Sequence, residues 1–169
     1  RLTRSRVEAN QQIAFEMAVL QVIPEIKAAT NAQNHQVFSE QFEMVSVGYV
    51  YYKDGQVDGY AVPVQGQGFW APIKGILGLA PDKKTITGIA FYEQSETPGL
   101  GARIEESWFC DAFIGKRLSD KGQLIGIRPE GAALNDSEVH GITGATQTCT
   151  RLEKLLNDGL RQWYKEVGY

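Results

Sequence analysis

Two runs rich in Val and Tyr, residues 45–53 and 56–65, stand on either side of the dipeptide Asp54-Gly55. Asp-Gly between two β-forming runs is typical of a two-residue hairpin turn, whose backbone favours these two residue types. A second antiparallel pair is predicted over residues 73–79 and 85–92, which are separated by a Pro-Asp-Lys-Lys turn. The chain is therefore predicted to form a mainly antiparallel sheet.

Helical patterns occur at both ends of the chain. Near the C-terminus, apolar residues recur with the 3.6-residue period of a helix at Leu152, Leu155, Leu156, Leu160 and Trp163. Residues 5–32 are predicted to form a helix that is broken near Pro24, because proline cannot donate its backbone hydrogen bond. The apolar stripe predicted for this first helix consists of Ile13, Met17 and Leu20.

The middle of the chain predicts shorter elements. Residues 104–113 are predicted to form a short helix, whose apolar face would consist of Trp108, Phe109 and Ala112. A short strand is predicted at residues 124–127 and a loop at residues 129–135. The sequence contains no internal repeat, low-complexity segment or linker. The 169 residues are therefore predicted to form one α+β domain.

Composition excludes several classes of function. The net charge is −3 and there is no basic block, so binding to the phosphate backbone of nucleic acid is not expected. No run of about 18 apolar residues is present that would span a membrane. His35 and His140 are isolated, and we expect structural or solvated roles for them rather than metal binding. Cys110 and Cys149 match no metal-binding spacing, and the sequence leaves open whether they pair.

Three stretches contain the residue types of a ligand site. Residues 66–70, Gly-Gln-Gly-Phe-Trp, can bring backbone and an aromatic plane close to a flat ligand. Residues 96–101 form a glycine-bent loop with Leu100 as an apolar tip that can lie over a ring. Residues 143–150 place hydroxyl groups at the start of the C-terminal helix, where Thr143 or Thr146 can cap the first turn. The free N–H groups of such a turn suit a phosphate.

A purely structural interpretation stays open from these stretches alone, namely tight turns for the first two and an ordinary threonine cap for the third. The acidic residues Glu93 and Glu96 and the pair Glu105-Glu106 are most simply solvated charges. The dinucleotide-binding fingerprint is absent, because residues 66–68 are followed by aromatic residues instead of a helix start.

Two motifs together indicate a family. They are Glu96-Thr97-Pro98-Gly99-Leu100-Gly101 and, about forty residues later, Thr143-Gly144-Ala145-Thr146. In this order they resemble the FMN-binding domain family of respiratory electron-transfer complexes. Residues 66–70 and 89–93 look most like the C subunits of the Na⁺-translocating NADH:quinone oxidoreductases, and the G subunits of Rnf complexes are near relatives. The resemblance implies a flavin-binding core over residues 45–169, preceded by a helical segment over residues 1–44.

The resemblance implies that FMN is attached covalently by a separate flavin transferase, through a phosphoester on the Thr146 hydroxyl. Thr148 and Thr150 stay open as alternative attachment points. His140 departs from the family pattern, which has an acidic residue six positions before the modified threonine. The full set of cofactor-binding residues that the resemblance implies, besides Thr146, is Trp70, Glu96, Thr97, Pro98, Gly99, Leu100, Gly101, Thr143, Gly144 and Ala145.

The resemblance further implies an electron-transfer subunit that is not a complete enzyme alone. Its partners would be the other subunits of a bacterial membrane complex that oxidises NADH, reduces quinone and exports Na⁺. The family's anchor is a single transmembrane helix, which would lie before Arg1, and the domain would stand outside the cytoplasmic face of the inner membrane. Two alternatives stay open: an Rnf-type subunit with the same cofactor, and a binding or assembly module without flavin.

Overall fold

A five-stranded antiparallel sheet forms the centre of the structure, a computed structural model that describes residues 2–26 and 30–169. The strands lie side by side in chain order: β1 is Phe42–Met44, β2 Tyr49–Lys53, β3 Gln56–Gln67, β4 Pro72–Leu79 and β5 Ile86–Glu93. At the turn between β2 and β3, Asp54 has a φ of 50° and Gly55 a φ of 76°, as a two-residue hairpin turn requires. The predicted α+β class with a mainly antiparallel sheet is confirmed.

The C-terminal helix, α4 (Thr146–Val167), covers one face of this sheet. Its five predicted apolar residues are all buried, and they pack with Tyr60, Val62 and Val64 of β3. Two glycines let the helix come close to the strand. A Cβ on Gly66 would lie 2.8 Å from the Leu155 Cβ, and one on Gly159 would lie 2.9 Å from a Val64 methyl group. The start of α4 is thereby held beside the end of β3.

The first helix, α1 (Leu2–Gln21), covers the opposite face of the sheet. Because successive strand residues point to opposite faces, Ala61 faces α1 while its neighbour Val62 faces α4. The apolar stripe predicted for α1 was wrong at Met17, which is 47% exposed, whereas Leu20 is buried. The residue directly after α1, Val22, lies on two sheet glycines, and a Cβ on Gly78 would lie 2.5 Å from its carbonyl oxygen. This close approach places Ala18, Val19, Val22 and Ile23 in the core.

The helix predicted over residues 5–32 ends earlier than predicted, and a second helix that was not predicted follows it. Helix α1 ends at Gln21, ahead of Pro24, and α2 occupies Asn31–Gln41, while residues 27–29 of the prediction lie outside the described part of the chain. Thr30 and Gln33 form a capping box that starts α2. His35 of α2 donates from Nδ1 to the buried carboxylate of Glu16 at 2.9 Å, which ties the two helices together.

The middle of the chain differs in detail from the prediction. A 3-10 turn, Gly101–Glu105, leads into α3, Ser107–Asp111, and Trp108 is exposed with the Arg103 guanidinium over its ring at 5.2 Å. Strand β6 (Gly126–Arg128) pairs in parallel with β7 (Glu138–His140), a strand that the sequence did not indicate. Residues 129–135 form the predicted loop. Within residues 2–26 and 30–169, no helix has the length and apolar character needed to cross a membrane.

Candidate functional site

The start of α4 lacks the threonine cap that the sequence predicted. Ala145 occupies the N-cap position without a side-chain hydrogen bond, and Thr146 is the first helical residue. The Thr143 hydroxyl instead donates to the Glu130 carboxylate, and Gly144 turns the chain with a φ of 82°. An uncapped helix start leaves its first N–H groups available to an anion, and the Thr146 side chain is exposed there.

The glycine-bent loop at residues 96–101 meets this helix start. Gly99 has a φ of 73°, and the backbone N–H of Leu100 donates to the Thr97 carbonyl at 3.0 Å. Leu100 is 43% exposed, and its Cδ2 atom would lie 3.2 Å from a Cβ on Gly144. The structure therefore brings the two motifs together, with the apolar tip of one against the turn of the other.

Glu96 is a buried carboxylate, so its assignment as a solvated charge was wrong. It is 5% exposed and lies where the loop, α4 and the turn after β3 converge. Its Oε2 atom accepts from the Thr148 hydroxyl at 2.5 Å and from the Phe69 backbone N–H at 3.2 Å, and its Oε1 accepts from the Trp70 backbone N–H at 3.2 Å. Burial of a carboxylate is tolerated because hydrogen-bond donors surround it.

Trp70 presents a large aromatic surface beside the loop. Its side chain is 64% exposed, and the indole N–H donates to the Thr97 hydroxyl at 3.1 Å. Phe69 packs edge-on against Trp70, with 4.7 Å between ring centroids. This bond and packing hold the indole in one orientation although most of it contacts solvent.

Arg151 adds a cation that sequence reasoning missed. Its guanidinium lies 5.8 Å from the centre of the Phe69 ring. Its Nε atom is buried and has no hydrogen-bond partner among the described residues. Arg151 directly follows the threonine-rich stretch, and this position was the only feature of the sequence that indicated a role at the site.

A cleft of about 750 Å³ lies beside Thr146, which forms part of its lining. Its walls are residues 127–131, residues 141–144 and the α4 residues Thr146, Cys149, Thr150 and Glu153. Arg128 is held in one wall by Glu138 at 2.6 Å and Glu153 at 2.9 Å, and the hydrogen bond to Glu138 is the main cause of the raised pKa of its guanidinium. The volume lies within the range of roughly 300–1,000 Å³ that is usual for small-molecule and cofactor sites.

The remaining candidates have structural roles in this geometry. His140 donates from Nε2 to the Ala132 carbonyl at 2.8 Å, and the described residues contain no cluster of metal-binding side chains. Cys110 and Cys149 are free. Thr148 is buried and bound to Glu96, and the hydroxyl of Thr150 donates to the Thr146 carbonyl at 2.9 Å. Of the three threonines on this turn, Thr146 and Thr150 are exposed.

Residues 68–161 match the family described as FMN-binding domain. This chain belongs to that family. The match runs from the turn after β3 to α4, and it includes both motifs that carried the resemblance in the sequence. The predicted family is thereby confirmed.

Curated relatives in the FMN-binding domain family include proteins named as the C subunit of Na⁺-translocating NADH-quinone reductase. The one from Yersinia pestis is 34% identical over 145 residues, which are 84% of this chain and 53% of the relative. The one from Vibrio campbellii is 37% identical over 129 residues, 73% of this chain and 48% of the relative. The chain spans about half the length of these relatives.

Solved structures of proteins with the same name share the fold. The one from Parabacteroides distasonis superposes with a TM-score of 0.80 at 22% identity, covering 99% of this chain and 96% of that one. NqrC of Shewanella oneidensis gives a TM-score of 0.78 at 18% identity, covering 93% and 97%. At these identities the similarity establishes the architecture of the FMN-binding domain.

The residues at the start of α4 fit the cofactor after which the family is named. The uncapped helix turn can receive a phosphate, and the left-handed backbone of Gly144 leaves the approach free of a side chain. Leu100 and Trp70 offer exposed apolar surface for a flat ring system. The two motifs meet where Leu100 lies against Gly144, and Glu96 and Gly101 contact Thr148 in the first turn of the helix.

Proposed function

We propose that this chain is the FMN-carrying electron-transfer subunit of a Na⁺-translocating NADH:quinone oxidoreductase, with FMN joined to Thr146 by a phosphoester. The observation that carries the proposal is the exposed Thr146 hydroxyl on an uncapped helix start, with the Leu100 tip against the adjacent Gly144. The names of the curated relatives support the assignment to this complex over an Rnf-type complex.

When bound, FMN supplies electron-transfer chemistry that no side chain of the protein provides. The contribution of this chain is to hold and orient it. The N–H groups and the dipole at the start of α4 stabilise the negative charge of a phosphodiester on Thr146. Leu100 lies against the adjacent Gly144, and Trp70 is bound to Thr97 of the same loop, so both would offer exposed apolar surface to the ring system. Electrons would reach the site from NADH and leave it for quinone through the other subunits of the complex.

The proposal includes the surroundings of the protein. A flavin transferase would attach the cofactor, the other subunits of the membrane complex would be the partners, and a transmembrane segment before Arg1 would anchor the domain outside the cytoplasmic face. The structure leaves Thr146 accessible to a transferase, since the residue is exposed. His140 has no carboxylate to offer that enzyme, and its Nε2 atom is bound to the Ala132 carbonyl.

Mass spectrometry of the denatured protein tests the attachment. After coexpression with a flavin transferase, the wild-type chain is expected to gain the mass of FMN less water on the peptide that contains Thr146. Thr146→Ala should abolish the gain, whereas Thr150→Ala, the matched exposed threonine one turn on, should retain it. Flavin retained in Thr146→Ala would show that another residue carries it. An unmodified, colourless wild-type protein would instead support a module without flavin.

Affinity purification of the anchored protein tests the assignment to a complex. The proposal expects the membrane subunits of a quinone-reducing complex to copurify. Copurification with a ferredoxin-linked complex would contradict the quinone assignment and support the Rnf-type alternative.

A further inference from the structure

One buried hydrogen-bond junction joins three segments of the site that are far apart in sequence. It consists of Glu96, the Thr148 hydroxyl and the backbone N–H groups of Phe69 and Trp70. All three partners donate to the carboxylate, so an ionised Glu96 can satisfy each of them at once. Hydrogen bonds to a charged acceptor are among the stronger ones in proteins, which makes this junction suitable as an anchor.

Two glycines enclose the junction and leave no room for it to rearrange. A Cβ on Gly68 would lie 2.5 Å from the Glu96 Oε1 atom. A Cβ on Gly101 would lie 2.4 Å from the Thr148 hydroxyl oxygen and 2.9 Å from the Glu96 Cβ. The carboxylate and the hydroxyl are therefore packed from both sides. This packing requires a glycine at position 101, directly after Leu100.

The junction reaches the exposed surface of the site through Trp70. The backbone N–H of Trp70 is bound to Glu96, and its indole N–H is bound to Thr97, the next residue along the chain. Trp70 is thus attached at two points to a two-residue segment that is itself fixed to α4 by Thr148. Leu100 lies on the same loop, four residues after Glu96.

We propose that Glu96 and Thr148 are positioning residues for the cofactor site. The hydrogen bond between them fixes the Trp70 indole and the loop that carries Leu100 relative to Thr146, two residues before Thr148 on the same helix. In this role Thr148 keeps its hydroxyl inside the junction and is not an attachment point. The predicted effect on flavin rests on the proposed function. The hydrogen-bonded link from Thr148 to Trp70 does not, because it involves residues of this chain only.

The first test needs no flavin and uses the Thr146→Ala protein, in which the proposed attachment is blocked. Thr148→Val keeps the shape of the side chain and removes the hydroxyl. We expect the indole N–H signal of Trp70 to move in the ¹H–¹⁵N spectrum by more than those of Trp108 and Trp163. We also expect hydrogen exchange of the Phe69 and Trp70 amides to accelerate about tenfold, as their acceptor is released.

Three further variants distinguish the link from general destabilisation. Thr148→Ser keeps the hydroxyl and should restore the wild-type signals. Glu96→Gln keeps the shape but replaces one acceptor oxygen, so it should reproduce the effect of Thr148→Val if the latter does not fold. Thr87→Val is the matched control, because that hydroxyl donates to the Val22 carbonyl at 2.8 Å on the other face of the sheet. It should leave the Trp70 signals unchanged.

The second test uses the flavin-loaded protein with Thr146 intact. Thr148→Val should retain covalent flavin by mass, but its visible circular dichroism and midpoint potential should differ from those of the wild type, while Thr87→Val should match the wild type.

Unchanged Trp70 signals in Thr148→Val would overturn the inference, and so would moved Trp70 signals with an unchanged flavin spectrum and potential. An absence of flavin from the wild type would count against the proposed function and leave the first test decisive for the link.

Discussion

The two cysteines show how burial changes the chemistry of single residues around the site. Cys149 lines the cleft and is buried, and Cys110 is a partly buried residue of α3 that packs against the core. Burial raises the pKa of both thiols, because a thiolate loses more hydration than a thiol, and the pKa of Cys110 rises from 9.0 to about 11. Neither residue is therefore set up as a nucleophile at neutral pH.

Alkylation by iodoacetamide should reveal these raised pKa values. Since the thiolate is the reactive form, a pKa of about 11 leaves about 0.1% of Cys110 reactive at pH 8, against about 10% for a pKa of 9.0. The folded Cys149→Ser protein, in which Cys110 remains, is expected to react about one hundred times more slowly than the same chain in denaturant. Its rate should rise tenfold per pH unit up to about pH 11. Equal rates for the folded and unfolded chains at pH 8 would contradict this prediction.

Individual site residues were predictable to different degrees. The meeting of Leu100 with Gly144 follows from two short motifs whose local geometry is set by glycine and proline. The partner of Glu96 was not predictable, because Thr148 lies 52 residues away and carboxylates of this type are usually solvated. A buried charge is recognisable only when its donors are known, and those donors come from two separate segments, residues 69–70 and Thr148.

At the level of elements, α4 is organised by a residue that interrupts its apolar face. Asn157 is buried, and its side-chain amide forms hydrogen bonds with the backbone of the segment before β6. Its Oδ1 atom accepts from the Leu124 N–H at 2.7 Å, and its Nδ2 donates to the Ile125 carbonyl at 2.7 Å. These bonds attach the segment that leads into β6 and the cleft wall to the helix that carries Thr146.

Asn157→Leu should therefore be costly although it adds apolar volume. It leaves a buried N–H and a buried carbonyl without partners, each worth about 1–3 kcal/mol, so we expect a loss of about 2–5 kcal/mol in the free energy of unfolding. Urea unfolding followed by circular dichroism measures this loss. Asp158→Ala is the control, because Asp158 is exposed and its ion pairs with Lys154 and Arg161 should contribute less than about 1 kcal/mol. Similar losses in the two variants would contradict the role assigned to Asn157.

The elements that the sequence predicted well are those with a clear period of apolar residues or a recognisable turn motif. The stripe of α4 and the Asp54-Gly55 hairpin both have such signals. Helix α2 was missed because Asn31–Gln41 is mostly polar, although its capping box at Thr30 and Gln33 was visible in the sequence. The short strand predicted at residues 124–127 overlaps β6, Gly126–Arg128. Strand β7 was missed because three residues are too few for a period to show, and its pairing with β6 depends on contacts distant in the chain.

At the scale of the whole molecule, the two faces of the sheet are covered by helices from opposite ends of the chain. Helix α4 and the site occupy one side, and the end of α1 covers the other. Residues 3–12 of α1 are exposed, whereas Val19, Val22 and Ile23 are buried against Tyr51, Ala61 and Ile76. The contribution of this N-terminal segment to stability should therefore come almost entirely from the C-terminal end of α1 and the two residues that follow it.

Two truncations of the N-terminus test this division. Removal of residues 1–26 uncovers the apolar face of the sheet. The lost burial of Val19, Val22 and Ile23 alone is worth roughly 5–9 kcal/mol, comparable with the total stability of a typical domain. We expect this protein to aggregate, or to unfold more than about 10 °C below the full chain in a calorimetric scan.

Removal of residues 1–11 is the matched control, because it shortens the same helix without uncovering the sheet. Its midpoint should lie within about 2 °C of the full chain, since exposed side chains and a surface ion pair such as Arg4–Glu8 contribute little. If both truncations unfolded at the same temperature as the full chain, α1 would not be part of the cooperative core. A large loss in the shorter truncation would contradict this division, because residues 1–11 would then contribute to the stability of the domain.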